Sequence, residues 1–584
     1  MTWTQVSDPL NSTALSALVA FIPIAVLFWA LIIRKMKGYK ASLLAAGIAL
    51  LIAIAVYGMP VPLALLSAGH GVLYGLFPIC WIVLCAVFLF NVTVKSGQFE
   101  VIKHFMATIT DDRRLQALLI AFSFGSFLEG TAGFGAPVAI TAAMLVGLGF
   151  QPLYAAGICL IANTAPVAFG AIGTPILVAG QVSGIPDMAI SEMVGRTLPL
   201  LSLFVPLYLV VLMSGFRRAL EVWPAILVCG GTFAGLQWLT SNYLGPTLPD
   251  IISGIGSILA LMVFLRFWKP KRVWRFADEP VAAAQHEAVS YTGGQIFRAW
   301  SPFIILTVMM LAWGMAPVKA LLDRWVLVTW EVPYLHEAIM GLDGHPLAQV
   351  FKLNVLSAAG TGILLAAVIS LPLIGVGARE GARVFGDTFR QLRFPIVTIG
   401  TVLGFAFIVN DSGITLSMAN GLAATGALFP FFSPMLGWLG VFITGSDTSA
   451  NALFSKLQAT TAHSIGVDPV VTVGANVSGG VVGKMISPQS IAVAAAAGGL
   501  VGKESELFRF TVKHSFILLF IVCVVVSLQA YVFTWILPEY TTGAGQQSHL
   551  SVNGSEGYLY LGVLAAVLIG IVAIIMTSKK RRYI

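Results

Sequence analysis

Apolar runs of about twenty residues, the length that crosses a bilayer core as a helix, recur along the whole chain. Full spans are expected near 14–33, 41–58, 72–95, 152–180, 196–214, 223–241, 250–268, 300–317, 353–376, 394–411, 469–499, 510–537 and 557–577. Two further runs, 115–149 and 433–463, are too long for one span and break in the middle at Gly-rich or Ser/Thr-rich turns. Broken backbone at membrane depth is tolerated where it lines a cavity, so each reads as a re-entrant hairpin. The expected fold class is an all-α polytopic membrane protein with about 13 transmembrane helices plus two re-entrant hairpins, forming one membrane transport domain over residues 1–584.

Composition supports lipid as the solvent. Of 584 residues, 58% are hydrophobic and 10% are charged, against about 25% charged in a soluble domain. The net charge of +8 raises nucleic acid as a partner, but position decides against it. All but six of the 33 Lys and Arg residues lie in 34–40, 95–114, 217–218, 266–298, 379–393, 503–513 and 579–582, which are the loops and span ends of one face. Arg196, Lys319, Arg324 and Lys352 fall on the other face, and Lys456 and Lys484 fall within membrane segments. The positive-inside rule then places the N-terminus outside and the C-terminus inside. The basic excess is a topology signal, and no nucleic-acid partner is expected.

Other signals are quiet. Residues 1–13 are polar, and Arg34, Lys35, Lys37 and Lys40 follow the first apolar run rather than precede it, so a cleavable signal peptide is not expected. Cys80, Cys85, Cys159, Cys229 and Cys523 sit inside apolar runs without paired spacing, which supports neither disulfides nor a metal site. The run Ser478 to Met485 lacks the first glycine and the final Ser/Thr of a phosphate-binding loop. The segments 269–299, 318–350 and 538–556 are too short for a nucleotide-binding domain, so no cofactor is expected.

An internal repeat carries more information. Phe77-Pro78-Ile79 returns as Phe394-Pro395-Ile396, Phe88 and Phe90 before Ser96-Gly97 as Phe405 and Phe407 before Ser412-Gly413, and Phe127 with Gly130 as Phe442 with Gly445. Pro152 and Gly157 match Pro469 and Gly474, and Asn163, Gly170 and Thr174-Pro175 match Asn476, Gly483 and Ser487-Pro488. The common order, at a nearly constant offset, reads as two repeats, 72–180 containing hairpin 115–149 and 394–499 containing hairpin 433–463, followed by C-terminal helices in 510–584. Their first spans run in opposite directions, so the repeats are expected to be inverted, with connecting arms at 98–112 and 414–430. Hairpin one then enters from the cytoplasm and hairpin two from outside, and their tips can meet near the midplane.

The tips and the interrupted spans are the candidate site. A half-helix N-terminus presents free N–H groups and about half a positive charge, which suits a carboxylate. Thr131 and Gly133 lie in the first tip, Ser446, Thr448 and Ser449 in the second. Asn163 and Thr164 lie in the first interrupted span, and Asn476, Ser478, Lys484 and Ser487 in the second, where Pro or paired Gly is expected to free backbone groups. These eleven are the substrate-binding candidates. The competing reading for the small residues is helix packing, and for Ser446 or Asp447 a helix cap. Charges at this depth cost about 2.5–3.5 kcal/mol each on insertion scales. Lys484 is therefore a candidate to pair with a substrate carboxylate or with an acidic neighbour, against a snorkelling alternative, and Glu129 and Asp447 are proton-coupling candidates. Asp411 is a weaker, interfacial candidate, and Lys456 and His463 are left outside the core site.

The strings Phe124-Gly125-Ser126-Phe127-Leu128-Glu129-Gly130-Thr131-Ala132-Gly133-Phe134-Gly135-Ala136-Pro137, Ala162-Asn163-Thr164-Ala165-Pro166, Thr444-Gly445-Ser446-Asp447-Thr448-Ser449 and Met485-Ile486-Ser487-Pro488-Gln489-Ser490 resemble the lactate/glycolate permease family, and the similarity runs over nearly the full chain. The resemblance implies proton-coupled uptake of L-lactate, D-lactate or glycolate across a bacterial cytoplasmic (inner) membrane. It also implies the wider ion-transporter superfamily, in which inverted hairpin repeats form a moving transport domain. The Ser-Asn-Thr hairpin signature of its sodium-coupled dicarboxylate members is absent from both tips, so sodium coupling is not implied. Thr131 stands where many relatives are expected to carry alanine. A sodium-coupled or exchange-type carrier of another small organic anion is the alternative. A channel would need a continuous polar path, and an enzyme would need a nucleophile–base or metal constellation that the sequence lacks.

Overall fold

The computed structural model describes residues 2–541 apart from 35, 134, 277–290, 343, 424 and 501–502. Among the described residues, nine helices are long and apolar enough to cross a membrane, or eleven if two bent helix pairs each count as one span. The chain is thus a polytopic all-α membrane protein. The span expected at 557–577 lies outside the described residues. The one expected at 353–376 is a 15-residue helix, Ala359–Leu373, about 22 Å long at 1.5 Å per residue.

Two expected spans are parts of longer helical stretches. The starts read at 72 and 394 fall inside the longer helical stretches Val61–Lys95 and Ala378–Asp411. At Phe77, just before Pro78, the backbone leaves helical geometry (φ −141°, ψ 128°), and a straight helix resumes at Trp81. Pro395 is instead absorbed within one continuous helix.

Outward and inward faces carry the chemistry expected in lipid. In helix Gly38–Ala55, Ala41, Ala45 and Ala49 are buried while Leu43, Leu44 and Leu51 are exposed. Small residues let helix backbones approach, and lipid accepts the leucines at no cost. The same logic crosses Val61–Tyr74 with Ala378–Asp411. A Cβ on Gly75 would stand 2.7 Å from Gly400 Cα, and one on Gly71 would stand 2.8 Å from Gly404 Cα. These four glycines form two four-residue spacings face to face.

The apolar interior divides into two clusters. One gathers the helices between Arg113 and Phe267 with Pro469–Gly483 and Glu504–Tyr531, and the other gathers Thr13–Phe28, Gly38–Ala55, Val61–Tyr74, Ala378–Asp411 and Ile414–Ala423. Among the described residues, four short strands depart from pure helix. Val328–Glu331 pairs antiparallel with Val350–Leu353, and Trp3–Thr4 pairs parallel with Ile339–Met340.

A buried arginine anchors the first hairpin. Arg114 is fully buried and donates to Asp112 Oδ2 at 2.7 Å, to Glu221 Oε2 at 3.0 Å and to the carbonyls of Arg218 and Arg272 at 2.7 and 3.1 Å. Asp112 in turn accepts from the Trp274 N–H at 3.0 Å. The fork of the guanidinium holds the entry of the hairpin to two loops of neighbouring helices at once.

Candidate functional site

Both long apolar runs are helix–turn–helix units. The first climbs from Arg113 to Thr131, with a π-helical stretch at Ala117–Phe124, turns through Ala132, Gly133 and Gly135, and returns as Ala136–Gly147. The second runs Phe429–Thr444, turns at Gly445, and returns as Asp447–Ile465. Gly133 (φ 57°), Gly135 (φ 85°) and Gly445 (φ 73°) take left-handed conformations that side chains rarely adopt. Both tips lean on one helix, Pro488–Ala497. A Cβ on Gly135 would stand 3.5 Å from Val493, and one on Gly445 would overlap the Gln489 side chain one turn earlier.

The interrupted spans are bent pairs. Pro152–Ala162 meets Val167–Ser183 at 66°, and Pro469–Ile486 meets Pro488–Ala497 at 45°. In the first, Ala171, Ile172 and Gly173 (φ 44°, 58° and 71°) make a left-handed turn before Thr174-Pro175. In the second, the break falls at Ser487, and the helix runs unbroken through Asn476–Gly480. That corrects the expectation that paired glycines free the backbone there. Gly479 faces the Pro434 carbonyl and Gly483 the Trp438 carbonyl, so these glycines let the first arm of hairpin two pack against the span.

An ion pair joins the first hairpin to the second bent pair. Lys484 Nζ donates to Glu129 Oε1 at 2.5 Å, with the side chains 10% and 3% exposed. Asn163 Nδ2 donates to the other Glu129 oxygen at 2.9 Å. Glycines make room for the carboxylate: a Cβ on Gly170 would stand 2.7 Å from Glu129 Oε1, and one on Gly133 would stand 3.5 Å from it. Glu129, Lys484, Asn163 and Gly133 are therefore together, drawn from the first hairpin and both bent pairs. Asp447 is buried in the first turn of its helix, and its Oδ1 occupies the space that a side chain on Gly480 would fill. Gly480 is one turn before Lys484. Neither Asp447 oxygen has a hydrogen-bond partner of normal geometry, although the Asn451 amide lies nearby.

Most of the other expected residues make hydrogen bonds within the fold. Thr131 and Thr164 donate to the Leu128 and Ile161 carbonyls of their own helices at 3.2 and 2.7 Å. Ser446 and Ser487 cap helices by accepting from the N–H groups of Ser449 at 3.3 Å and Ser490 at 3.2 Å. Thr448 and Ser449 are buried beside that first cap. Asn476 donates to Asn451 at 2.8 Å and accepts from Gln458 at 3.2 Å, while Asn451 donates to the Pro175 carbonyl at 3.1 Å. This chain of amides ties hairpin two to both bent pairs. Ser478 Oγ is buried without a partner.

A third acid was missed. Asp250, in the first turn of Pro249–Phe267, is 1% exposed, and neither carboxyl oxygen has a hydrogen-bond partner. Its Cβ lies 2.7 Å from where a Cβ on Gly130 would be, immediately after Glu129. Glu129 and Lys484 are its charged neighbours. From sequence, an acid opening an apolar run reads as a helix-start residue, and no local signal separates it from one. Three buried carboxyl groups thus lie within electrostatic reach of one ammonium, and one of them is in contact with it. Among the described residues, no cluster of three or more His, Cys, Asp or Glu is placed to hold a metal ion. A groove of about 620 Å³ lined by Glu192, Arg196, Trp238 and Trp535 shares none of these charges.

Comparison with known proteins gives the family. The L-lactate permease of Bacillus subtilis (strain 168) is 57% identical over 563 residues, covering 92% of this chain and all of that protein. The glycolate permease GlcA and the L-lactate permease of Escherichia coli (strain K12) are each 52% identical, again covering 92% of this chain and all of each relative. The family model described as L-lactate permease matches residues 16–533. On that span and those identities, the chain belongs to the L-lactate permease family and is a transporter, not an enzyme.

Proposed function

We propose that the chain imports small 2-hydroxy monocarboxylates, L-lactate, D-lactate and glycolate, by proton symport across the bacterial cytoplasmic membrane, with its N-terminus outside. The relatives named above support the substrate class, and the buried Lys484–Glu129 pair carries the mechanism. Lys484 is the cation a carboxylate needs, but Glu129 already occupies it. Protonation of Glu129 releases the ammonium, and the substrate carboxylate takes its place. The centre then holds Lys484 as a cation, the substrate as an anion and Glu129 neutral, so its net charge is unchanged. A neutral load avoids about 2.3 kcal/mol per charge per 100 mV of membrane potential. Asp447 is the alternative proton carrier.

Alternating access follows from the same layout in this reading. Each half contains a long helix, an arm (Gln98–Ala107 or Ile414–Ala423), a hairpin and a bent pair, in that order, which supports an inverted repeat. Hairpins and bent pairs move as one unit. The Arg114 clamp extends that unit to the helices next to hairpin one. The test is uptake by purified protein in liposomes, with labelled 2-hydroxy acids and with pH and sodium gradients imposed separately. Accumulation driven by an inward proton gradient alone is the expected result. Accumulation that needs sodium, or that ignores both gradients, overturns proton symport.

A further inference from the structure

Lactate and glycolate share a carboxylate and a 2-hydroxyl and differ by a methyl group, so the hydroxyl is the feature common to both that a site can read beyond the carboxylate. This inference rests on the transport reading above. Lys484 accounts for the carboxylate. The hydroxyl needs a second group beside it, because the hydroxyl-bearing carbon is bonded directly to the carboxylate carbon.

Asp250 meets that requirement. It is 1% exposed, and both its oxygens lack partners. An ionised carboxylate in that state would cost several kcal/mol, and the ammonium that would compensate it is held by Glu129 at 2.5 Å. A neutral carboxyl group has one donor and one acceptor, and here both are unused. Its root packs against Gly130, directly behind Glu129. When Glu129 gives up Lys484, the substrate carboxylate enters the space that Asp250 flanks. Asp447 is the rival, but it leans over Gly480 with the Asn451 amide at hand. Both acids have Glu129 and Lys484 as charged neighbours, but Asp250 has no amide beside it among the described residues.

We infer that Asp250 is a neutral carboxyl group that recognises the 2-hydroxyl of the substrate, donating to it and accepting from it. It determines specificity and carries no transported proton. Two consequences separate it from Glu129. An amide, which also donates and accepts, can replace Asp250. An apolar residue of the same shape cannot.

The test measures dissociation constants of L-lactate, propionate, glycolate and acetate by titration calorimetry on the purified full-length chain at one pH. Wild type is expected to prefer each hydroxy acid over its deoxy partner by roughly tenfold or more. D250N should keep that preference within about threefold, and D250L should reduce it to about threefold or less while leaving propionate binding within about threefold of wild type. If D250L fails to fold, D250A is read in its place. Loss of the preference in D447L with retention in D250L overturns the assignment, as does loss of all binding in D250N. Wild type that binds no lactate overturns the transport reading itself. Wild type that discriminates, with D250L discriminating equally, overturns only this inference.

Discussion

Replacing Glu129 by glutamine tests the competition for Lys484 directly. In the resting centre Lys484 is held at 2.5 Å by a carboxylate that Asn163 also holds at 2.9 Å. A substrate must break the first of these bonds before it can form its own. Hydrogen bonds to charged groups contribute about 1.5–3 kcal/mol, and tenfold in affinity corresponds to about 1.4 kcal/mol. Glu129→Gln removes the competing charge, so lactate should bind about 10- to 100-fold tighter than to wild type at a pH where Glu129 is ionised. The sign with pH follows. In wild type a proton on Glu129 favours substrate, so affinity rises as pH falls, whereas the variant should bind with little dependence on pH. The empty variant also leaves the Lys484 charge buried without its counter-charge, a loss of up to about 3–5 kcal/mol, and lactate should raise its melting temperature more than that of wild type. Titration calorimetry across a pH series, with thermal unfolding in parallel, reads both. Weaker binding than wild type at every pH, or an unchanged pH dependence, would refute the competition. Transport gives the complement: the variant should exchange internal for external lactate yet fail to accumulate it against a gradient.

Lys484→Met should abolish lactate binding in the same assay, and binding within about threefold of wild type would remove Lys484 from the site. Gly480→Ala should inactivate transport and lower the melting temperature, because the added methyl overlaps Asp447 and overpacking costs about 1–3 kcal/mol. Normal uptake by that variant would mean that Asp447 moves aside freely. A cysteine at Gly545 should react with an impermeant thiol reagent from outside the cell, and one at Ser290 should not. Reversed labelling would invert the proposed orientation.

The membrane class, the two hairpins and the acid–lysine candidates were legible in the sequence because each is a local quantity. Apolar run length sets a span, a glycine or serine turn interrupts it, and a charge inside such a run is conspicuous wherever the chain goes. Family membership was legible too, carried by the tip strings around Glu129 and Asp447. Boundaries at proline were not, since Phe77-Pro78 breaks a helix that Phe394-Pro395 leaves intact, and only the surrounding packing decides which. Nor could the glycines of 479–483 be told from an unwound segment, because their partners, the Pro434 and Trp438 carbonyls, arrive from another helix. Asp250 shows the limit most clearly. Its neighbours in sequence describe an ordinary helix start, while Gly130, Glu129 and Lys484 reach it from distant parts of the chain. Period and composition determine what each segment is. Which charges share one desolvated space depends on close approach between segments, and only the tertiary structure decided that Glu129, rather than Asp447 or Asp250, holds Lys484.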